Sequence, residues 1–208
     1  MTVTQNDDQA AGRSRPVGRP RRSQQTLLDA AAAVFVESGV DAPVREIATK
    51  AGVGMGTIYR HFPNRPALVI AVYRHQVEAC AEAGPRLLSE SASPEAALRQ
   101  WVALFVDFLV TKHGLAAALQ GDKAGSDALH AYFVDRLVPV CSSLLEAARA
   151  DQGLPEPQAL MNGYNLLKGV GNLCIGAASD SDYDADQLVQ ALVSGALTPA
   201  RQPCRSTS

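Results

Sequence analysis

Apolar residues recur at helical spacing along most of this chain. The first such segment begins near Gln24, and Gly39 can end it because glycine readily adopts the left-handed conformation that closes helices. One stripe of that helix carries Leu28, Ala31, Ala32 and Phe35. The spacing predicts an amphipathic first helix over residues 24–39.

Two short helices are predicted next. The first covers residues 44–51, with Pro43 at its start and Gly52 at its end, and the second covers residues 55–62 and stops at Pro63. Two short helices that follow a longer one and are separated by a tight turn form a helix-turn-helix unit.

The rest of the pattern is also helical. Asn64 can cap a fourth helix, which Gly84 and Pro85 are expected to end. Five more helices are predicted at residues 94–112, 114–120, 126–150, 156–178 and 184–197. The sequence shows no alternating β pattern of useful length and no internal repeat. The fold class is therefore predicted to be all-α, with about nine helices.

Both ends of the chain lack this periodicity. Residues 1–23 contain "RSRPVGRPRR", with five arginines and two prolines in ten positions, and they predict a disordered basic arm. Residues 199–208 predict a disordered tail.

Charge is divided unevenly along the chain. Residues 1–75 carry ten Lys/Arg against six Asp/Glu, a balance of +4, whereas residues 76–208 carry nine against fifteen, a balance of −6. A basic amino-terminal third joined to an acidic remainder indicates that only the first part meets a polyanion such as a nucleic acid.

The second short helix has one inward and one open side on a helical wheel. Ile58 and Phe62, four positions apart, must point into the domain. Gly56, Thr57 and Arg60 fall on the opposite, exposed side. Small residues let a helix approach the major groove of DNA closely, and Arg60 adds positive charge there.

Three other residues of this helix lie near the boundary between the two sides. Tyr59 and His61 have apolar bodies to pack and polar tips that can reach a phosphate oxygen. Met55 lies near the inner edge, so the wheel alone leaves its direction open.

The stretch "VREIATKAGVGMGTIYRHFPNRPAL" resembles the DNA-binding signature of TetR-type transcriptional regulators, and the preceding "LLDAAAAVFVESG" resembles the helix that supports it. The resemblance implies a helix-turn-helix DNA-binding domain at residues 24–70. It also implies a larger helical domain at residues 71–198 that binds an effector and dimerises.

The resemblance further implies roles for individual residues. Four are expected at the base edges of DNA: Arg45, Met55, Gly56 and Thr57. Three are expected to contact phosphates: Tyr59, His61 and Arg65. For Met55 this settles the direction toward DNA, where a thymine methyl is a suitable apolar partner.

Some positions depart from the family pattern. Pro43 stands where a helix-capping Thr or Ser is common, so the cap must come from elsewhere or be lost. Pro66 stands where an acidic residue is common in the first turn of the fourth helix. Gly54 and Gly56 carry no side chain that can read a base, so specificity is expected to depend on few residues and on DNA shape.

The basic arm has two interpretations. Its G-R-P core and the neighbouring residues, with Arg19 and Arg21, resemble arms that enter the minor groove of A·T-rich DNA. Alternatively, it is a solvated tail that adds only nonspecific electrostatic attraction.

A homodimer is expected through the predicted helices 156–178 and 184–197. The second of them presents Leu188, Val189 and Leu192 as an apolar stripe, and glycines in the first permit close helix packing. An isologous dimer would place two recognition helices about one DNA turn, ~34 Å, apart, as a palindromic operator in double-stranded DNA requires. The alternative is that both helices pack only within their own chain.

An effector pocket is expected in the same domain. Its candidate lining residues are aromatic or apolar: Trp101, Phe105, Phe108, Tyr132, Met161 and Tyr164. Ordinary core packing is the alternative for each of them. No positively charged cluster in this region points to an anionic effector, so an apolar or weakly polar small molecule is expected.

Cysteine and histidine positions predict neither a metal site nor a cofactor. The four cysteines are far apart without a C-x-x-C pair, and the four histidines show no metal-ligand spacing. The thiols are expected to be buried or idle, with a redox sensor as the alternative. With no visible signal peptide and no apolar stretch long enough to span a bilayer, a cytoplasmic location is expected.

These features predict a sequence-specific DNA-binding transcriptional regulator, expected to be a repressor that a small-molecule effector releases from its operator. The alternative is a DNA-binding regulator or architectural protein without such an effector. An enzyme is not expected, because the chain has no Gly-rich phosphate loop and no nucleophile–base pattern.

Overall fold

The computed structural model describes residues 20–119, 123–154, 161–175 and 182–198. These residues form eight α-helices and no strand, which confirms the predicted all-α class. The helices are α1 (Pro20–Ser38), α2 (Val44–Ala51), α3 (Met55–His61), α4 (Arg65–Glu90), α5 (Pro94–Leu119), α6 (Lys123–Asp151), α7 (Gly163–Cys174) and α8 (Ala185–Ala196).

The helix count differs from the predicted nine because one expected break is absent. Residues 94–112 and 114–120 were predicted as two helices, but α5 runs without interruption from Pro94 to Leu119. The expected break relied on Gly114, and one glycine weakens a helix by only about 1 kcal/mol relative to alanine. The free-energy cost of a single glycine is too small to end a helix that packs along its length.

α4 also continues past its predicted end and contains Pro85. Gly84 is buried where α4 meets α6, and a Cβ added to it would lie 2.2 Å from Cγ1 of Val140. The indole Nε1 of Trp101 in α5 donates to the carbonyl oxygen of Cys80 at 2.8 Å. Packing against α5 and α6 therefore outweighs the two helix-breaking residues.

α1 begins at Pro20, earlier than the predicted start near Gln24. Proline is favoured in a first helical turn because the N–H that it lacks would have no partner inside the helix. The predicted arm therefore loses residues 20–23 to α1, and the remainder of the arm lies outside the described residues.

α7 begins at Gly163, later than the predicted start at residue 156. Asn162 caps it, because its Oδ1 accepts a hydrogen bond from the backbone N–H of Asn165 at 2.8 Å. Asp184 caps α8 in the same way, through the N–H of Gln187 at 2.8 Å. Residues 155–160 and 176–181, most of which belonged to the predicted helix 156–178, lie outside the described residues.

One continuous hydrophobic cluster connects the first three helices to the rest of the molecule. It contains Phe35 of α1 and Ile58 of α3, passes through Tyr73 of α4, and reaches Val193 of α8. The rings of Tyr73 and Phe108 in α5 have their centroids 5.3 Å apart. Among the described residues, no helix combines the length and the apolar character needed to cross a bilayer.

Candidate nucleic-acid interface and apolar cavity

A tight turn joins α2 to α3. Gly52 follows the last residue of α2 with φ of 66°, a left-handed conformation that glycine adopts without strain. The N–H of Val53 donates to the carbonyl of Ala48 at 3.0 Å, and the N–H of Gly52 donates to Thr49 at 3.2 Å. These two bonds satisfy the last carbonyls of α2 and reverse the chain, so that α2 and α3 form the predicted helix-turn-helix.

The starts of α2 and α4 differ in their capping. No side chain caps α2, and the carbonyl of Pro43 accepts from the N–H of Glu46 at 2.9 Å, so the usual side-chain cap is lost at this position. Asn64 caps α4, because its Oδ1 accepts from the N–H of Ala67 at 2.9 Å.

α3 buries one side and exposes the other. Ile58 and Phe62 are 1% and 5% exposed, as the wheel predicted, and pack into the core. Met55 and Tyr59 are 46% and 49% exposed, although both are large and largely apolar. Of the remaining residues on this helix, Thr57 is half-buried, and Gly56, Arg60 and His61 are exposed. The open side of α3 thus carries the residues that were predicted to meet DNA.

Arg45, which was also predicted to reach a base, belongs to α2. Arg45 is exposed in the first turn of α2, and its backbone carbonyl accepts from Oγ1 of Thr49 at 2.9 Å. At the other end of α2, Nζ of Lys50 lies 2.5 Å from Oε1 of Glu37. This exposed ion pair joins α2 to α1.

Arg65 has partners inside the protein. Its Nη2 donates to the carbonyl oxygens of Val40 and Ala42, the latter at 2.8 Å. Its guanidinium carbon lies 6.0 Å from the centroid of the Phe35 ring. The side chain therefore holds the loop between α1 and α2, and the phosphate contact expected of Arg65 stays a prediction.

The two arginines predicted in the basic arm are not both within the described part of the chain. Arg21 lies in the first turn of α1, where only the backbone is described, and Arg19 lies outside the described residues. Both interpretations of the arm stay open.

A cavity of about 210 Å³ lies between α5, α6 and α7. Its apolar walls are formed by Phe105, Leu109, Phe133, Val138, Leu167 and Ile175. Polar groups line it as well: His130, Tyr164, Lys168 and Asn172. An apolar cavity with a few converging polar groups has the character of a small-molecule site.

Comparison with known proteins identifies the family of this chain. Residues 27–72 match the family model described as "Bacterial regulatory proteins, tetR family". The crystal structure of the TetR transcriptional regulator SCO0520 from Streptomyces coelicolor is similar at 32% identity, with a TM-score of 0.70, and the match covers 85% of this chain and 99% of that one. The chain belongs to the TetR family. It is accordingly a DNA-binding transcriptional regulator with a helix-turn-helix.

Two further TetR relatives differ in the regulation that their names state. The transcriptional activator FasR of Mycolicibacterium smegmatis is 26% identical over 204 residues, which is 93% of each chain. The transcriptional repressor LfrR of the same species is 35% identical over 85 residues, covering 41% of this chain and 44% of LfrR. A crystal structure of LfrR was determined in complex with proflavine and shares the TetR fold at a TM-score of 0.56 and 24% identity, covering 89% of this chain and 100% of that one.

Six residues were predicted to line an effector pocket. Two of them, Phe105 and Tyr164, line the cavity. Trp101 is fully buried, and its indole N–H donates a hydrogen bond to the backbone carbonyl of Cys80. Phe108 is packed between the rings of Tyr73 and Phe133. For these two residues the alternative, core packing, is what the structure shows.

Tyr132 and Met161 also lie away from the described cavity lining. Met161 is half-buried against the core. The hydroxyl of Tyr132 donates to Oε1 of Glu78 in α4. Burial first, and then this hydrogen bond, raise the pKa of Tyr132 to about 12. Tyr132 is therefore a link between α6 and α4.

Three polar lining residues were not predicted from the sequence: Lys168, His130 and Asn172. Lys168 follows Tyr164 by four positions, which places both on one face of α7, and that spacing was a usable signal. His130 is contributed by α6, far away in the sequence, and only the fold brings it to Lys168.

Two buried thiols lie between α4 and α6. Burial raises the pKa of Cys80 to about 12 and, together with the proximity of Cys80, that of Cys141 to about 12. Burial also raises the pKa of Cys174. Protonated thiols react slowly, so these three residues fit the expectation of idle thiols. Among the described residues, His, Cys, Asp and Glu form no group of three that could hold a metal ion.

Proposed function

We propose that this TetR-family protein is a homodimeric repressor that binds a palindromic operator and leaves it when a small molecule occupies the cavity between α5, α6 and α7. The observation that carries the DNA-binding part is the open side of α3, where Met55 and Tyr59 are exposed while Ile58 and Phe62 anchor the helix. Large side chains exposed on a firmly anchored helix are suited to a partner surface.

The open side of α3 fits the major groove by its shape and charge. Gly54 and Gly56 have open space where a Cβ would lie, so nothing inside the protein requires glycine there. Their small size supports a close approach of the α3 backbone to base edges, where Thr57 and Met55 would contact the bases. Arg60 and His61 are exposed at the other end of α3, which supports them as phosphate contacts.

Exposed apolar residues on α7 and α8 support the dimer. Leu188 of α8 is 40% exposed and Ile175, at the end of α7, is 64% exposed. α7 and α8 pack closely on each other, since a Cβ added at Gly169 would lie 2.9 Å from Cδ2 of Leu192. A second copy that packs on these helices would cover the exposed side chains.

The cavity can be coupled to α3 through α4. Phe133 lines the cavity, and its neighbour Tyr132 donates to Glu78 of α4. α4 begins at Arg65, directly after the helix-turn-helix. A ligand that displaces this part of α6 would therefore bias the position of α4, and with it the spacing of the two α3 helices in the dimer.

The first experiment is selection of bound sequences from a random double-stranded DNA library with the purified protein in the absence of ligand. Enrichment of an inverted repeat supports a dimeric sequence reader. Binding without enrichment that only decays as salt rises would contradict it and favour nonspecific electrostatic attraction.

Control of the operator by a ligand is tested with the enriched sequence. Small apolar compounds that raise the melting temperature of the protein should release labelled operator, because they favour the geometry with misplaced recognition helices. Compounds that stabilise the protein and leave operator affinity unchanged would point to the alternative, a regulator without effector.

A further inference from the structure

We infer that the cavity between α5, α6 and α7 binds a compact apolar carboxylic acid in its ionised form, with Lys168 as the counter-charge. The inference rests on the proposed function to the extent that it names the ligand class of the same cavity. It departs from the sequence-based expectation of an apolar or weakly polar ligand, because the fold brings together polar groups that are far apart in the sequence.

The inner part of the cavity selects an apolar body. Phe105 and Phe133 have their ring centroids 5.8 Å apart, and Leu109 and Leu167 are both buried beside them. The volume is about 210 Å³. A cavity of roughly 150 Å³ lined by such side chains holds one benzene ring. The described cavity therefore suits a single ring with a short chain.

The described lining of the cavity contains one positive charge, Lys168, and no acidic residue. Within the described part of the chain, Lys168 forms no ion pair; its Nζ lies 3.5 Å from the hydroxyl oxygen of Tyr164 and 5.6 Å from the centroid of that ring. α7 contains no Asp or Glu. Lys168 is exposed at the rim of the cavity, so its attraction for an anion is modest and partly screened by water.

The other polar residues of the lining favour a carboxylate among possible anions. Tyr164, Lys168 and Asn172 follow one another at intervals of four along α7 and so share one face. His130 of α6 stands in the same lining, stacked at 6.3 Å on Phe133. The phenol, the amide and the ammonium group can all donate hydrogen bonds, and a carboxylate offers two acceptor oxygens.

Gly171 leaves room for the ligand beside these donors. It lines the cavity, and a Cβ built on it would meet no atom within 4 Å. Alanine there would occupy ligand space without a clash inside the protein. Gly195 in α8 also has open space around its Cβ position but is not among the lining residues, so it provides a matched control.

The test compares 4-phenylbutyrate with its neutral isostere 4-phenylbutanamide by calorimetric titration of the full chain at neutral pH without DNA. We expect the carboxylate to bind more tightly by up to about fivefold, the largest ratio that an exposed ion pair supplies. Lys168→Met should abolish this ratio and leave amide binding in place, whereas Lys168→Arg should keep it. Lys123→Met, an exposed lysine outside the lining, should have no effect.

Gly171→Ala provides a second measurement that does not depend on charge. It should weaken both compounds severalfold without lowering the melting temperature, while Gly195→Ala should leave both affinities unchanged. Equal affinities for acid and amide, a preference that survives Lys168→Met, or no binding of either compound would each overturn the inference. Because no DNA is present, these results are independent of whether the protein reads an operator or releases it.

Discussion

Glu78 of α4 and Arg136 of α6 form a bidentate ion pair. The guanidinium Nη2 lies 2.5 Å from Oε2 of Glu78, and Nε lies 2.9 Å from Oε1. The hydroxyl of Tyr132 donates to the same carboxylate, and the guanidinium carbon of Arg74 lies 5.5 Å from the centroid of the Tyr132 ring. One carboxylate therefore joins the helix that leaves the DNA-binding region to the helix that lines the cavity.

This carboxylate should give stability a defined pH dependence. The hydrogen bond from Arg136, and secondarily that from Tyr132, hold the pKa of Glu78 below its ordinary value of 4.5. A group whose pKa is lowered by folding stabilises the protein fully above its unfolded pKa, and this contribution is lost as the pH falls through the folded pKa. We expect wild type to exceed Glu78→Gln in stability near pH 7 and the difference to shrink below about pH 4.5.

Urea unfolding at a series of pH values measures this difference. Glu90→Gln, which removes an exposed carboxylate at the end of α4, is the control and should change stability little at any pH. A difference between wild type and Glu78→Gln that stays constant down to pH 3 would show that the charge of Glu78 is not what joins the two helices.

Gly84→Ala should destabilise the protein where α4 meets α6. The new Cβ would lie 2.2 Å from Cγ1 of Val140, and the branched valine side chain has few alternative rotamers. Overpacking of this kind costs about 1–3 kcal/mol. The double variant Gly84→Ala/Val140→Ala should recover part of the loss, which urea unfolding measures; wild-type stability for the single variant would contradict this contact.

Tyr59→Ala/His61→Ala should weaken binding to all DNA sequences by a similar factor, because phosphate contacts position the protein without reading bases. Arg60→Ala should in addition reduce the slope of log affinity against log salt by about 1. Fluorescence anisotropy with operator and scrambled duplexes at several salt concentrations checks both.

Arg86→Ala is the control for these variants. Arg86 is exposed on α4, about 32 Å along the helix axis from Arg65. Its replacement should leave affinity and salt slope unchanged. If the α3 variants behaved like this control, α3 would not be the helix that meets DNA.

Cys80 and Cys141 should not react in the folded protein. Their pKa values of about 12 leave almost no thiolate at neutral pH, and both side chains are buried. Mass spectrometry after brief iodoacetamide treatment should find both unmodified in buffer and modified in guanidinium chloride. Rapid labelling of either residue under native conditions would revive the redox-sensor alternative.

Local features of the fold could be predicted well from the sequence. Gly52 ends α2 and Asn64 caps α4 because capping depends on a few neighbouring residues. The burial of Ile58 and Phe62 follows from helical periodicity alone, and the exposure of Met55 agrees with the expectation that the family resemblance supplied.

Features that depend on distant partners could not be predicted in this way. α4 passes Gly84 and Pro85 because α5 and α6 pack on it, and no local pattern in α4 indicates those partners. The cavity lining combines His130 of α6 with Lys168 of α7, and the sequence gives no register between these helices. Trp101 and Phe108 are of residue types that often line pockets, but both lie in the core. The sequence does not separate the two cases, because burial and ligand binding favour the same side chains.

The continuous hydrophobic cluster makes the recognition helices and the cavity one cooperative unit. Ile58 of α3 rests on the same packed core that holds Phe105 and Phe133 at the cavity wall. A fragment cut after α3 would leave its apolar faces open to water, so the DNA-binding helices are not a detachable module. A single thermal transition is then expected for the DNA-binding helices and the helices around the cavity.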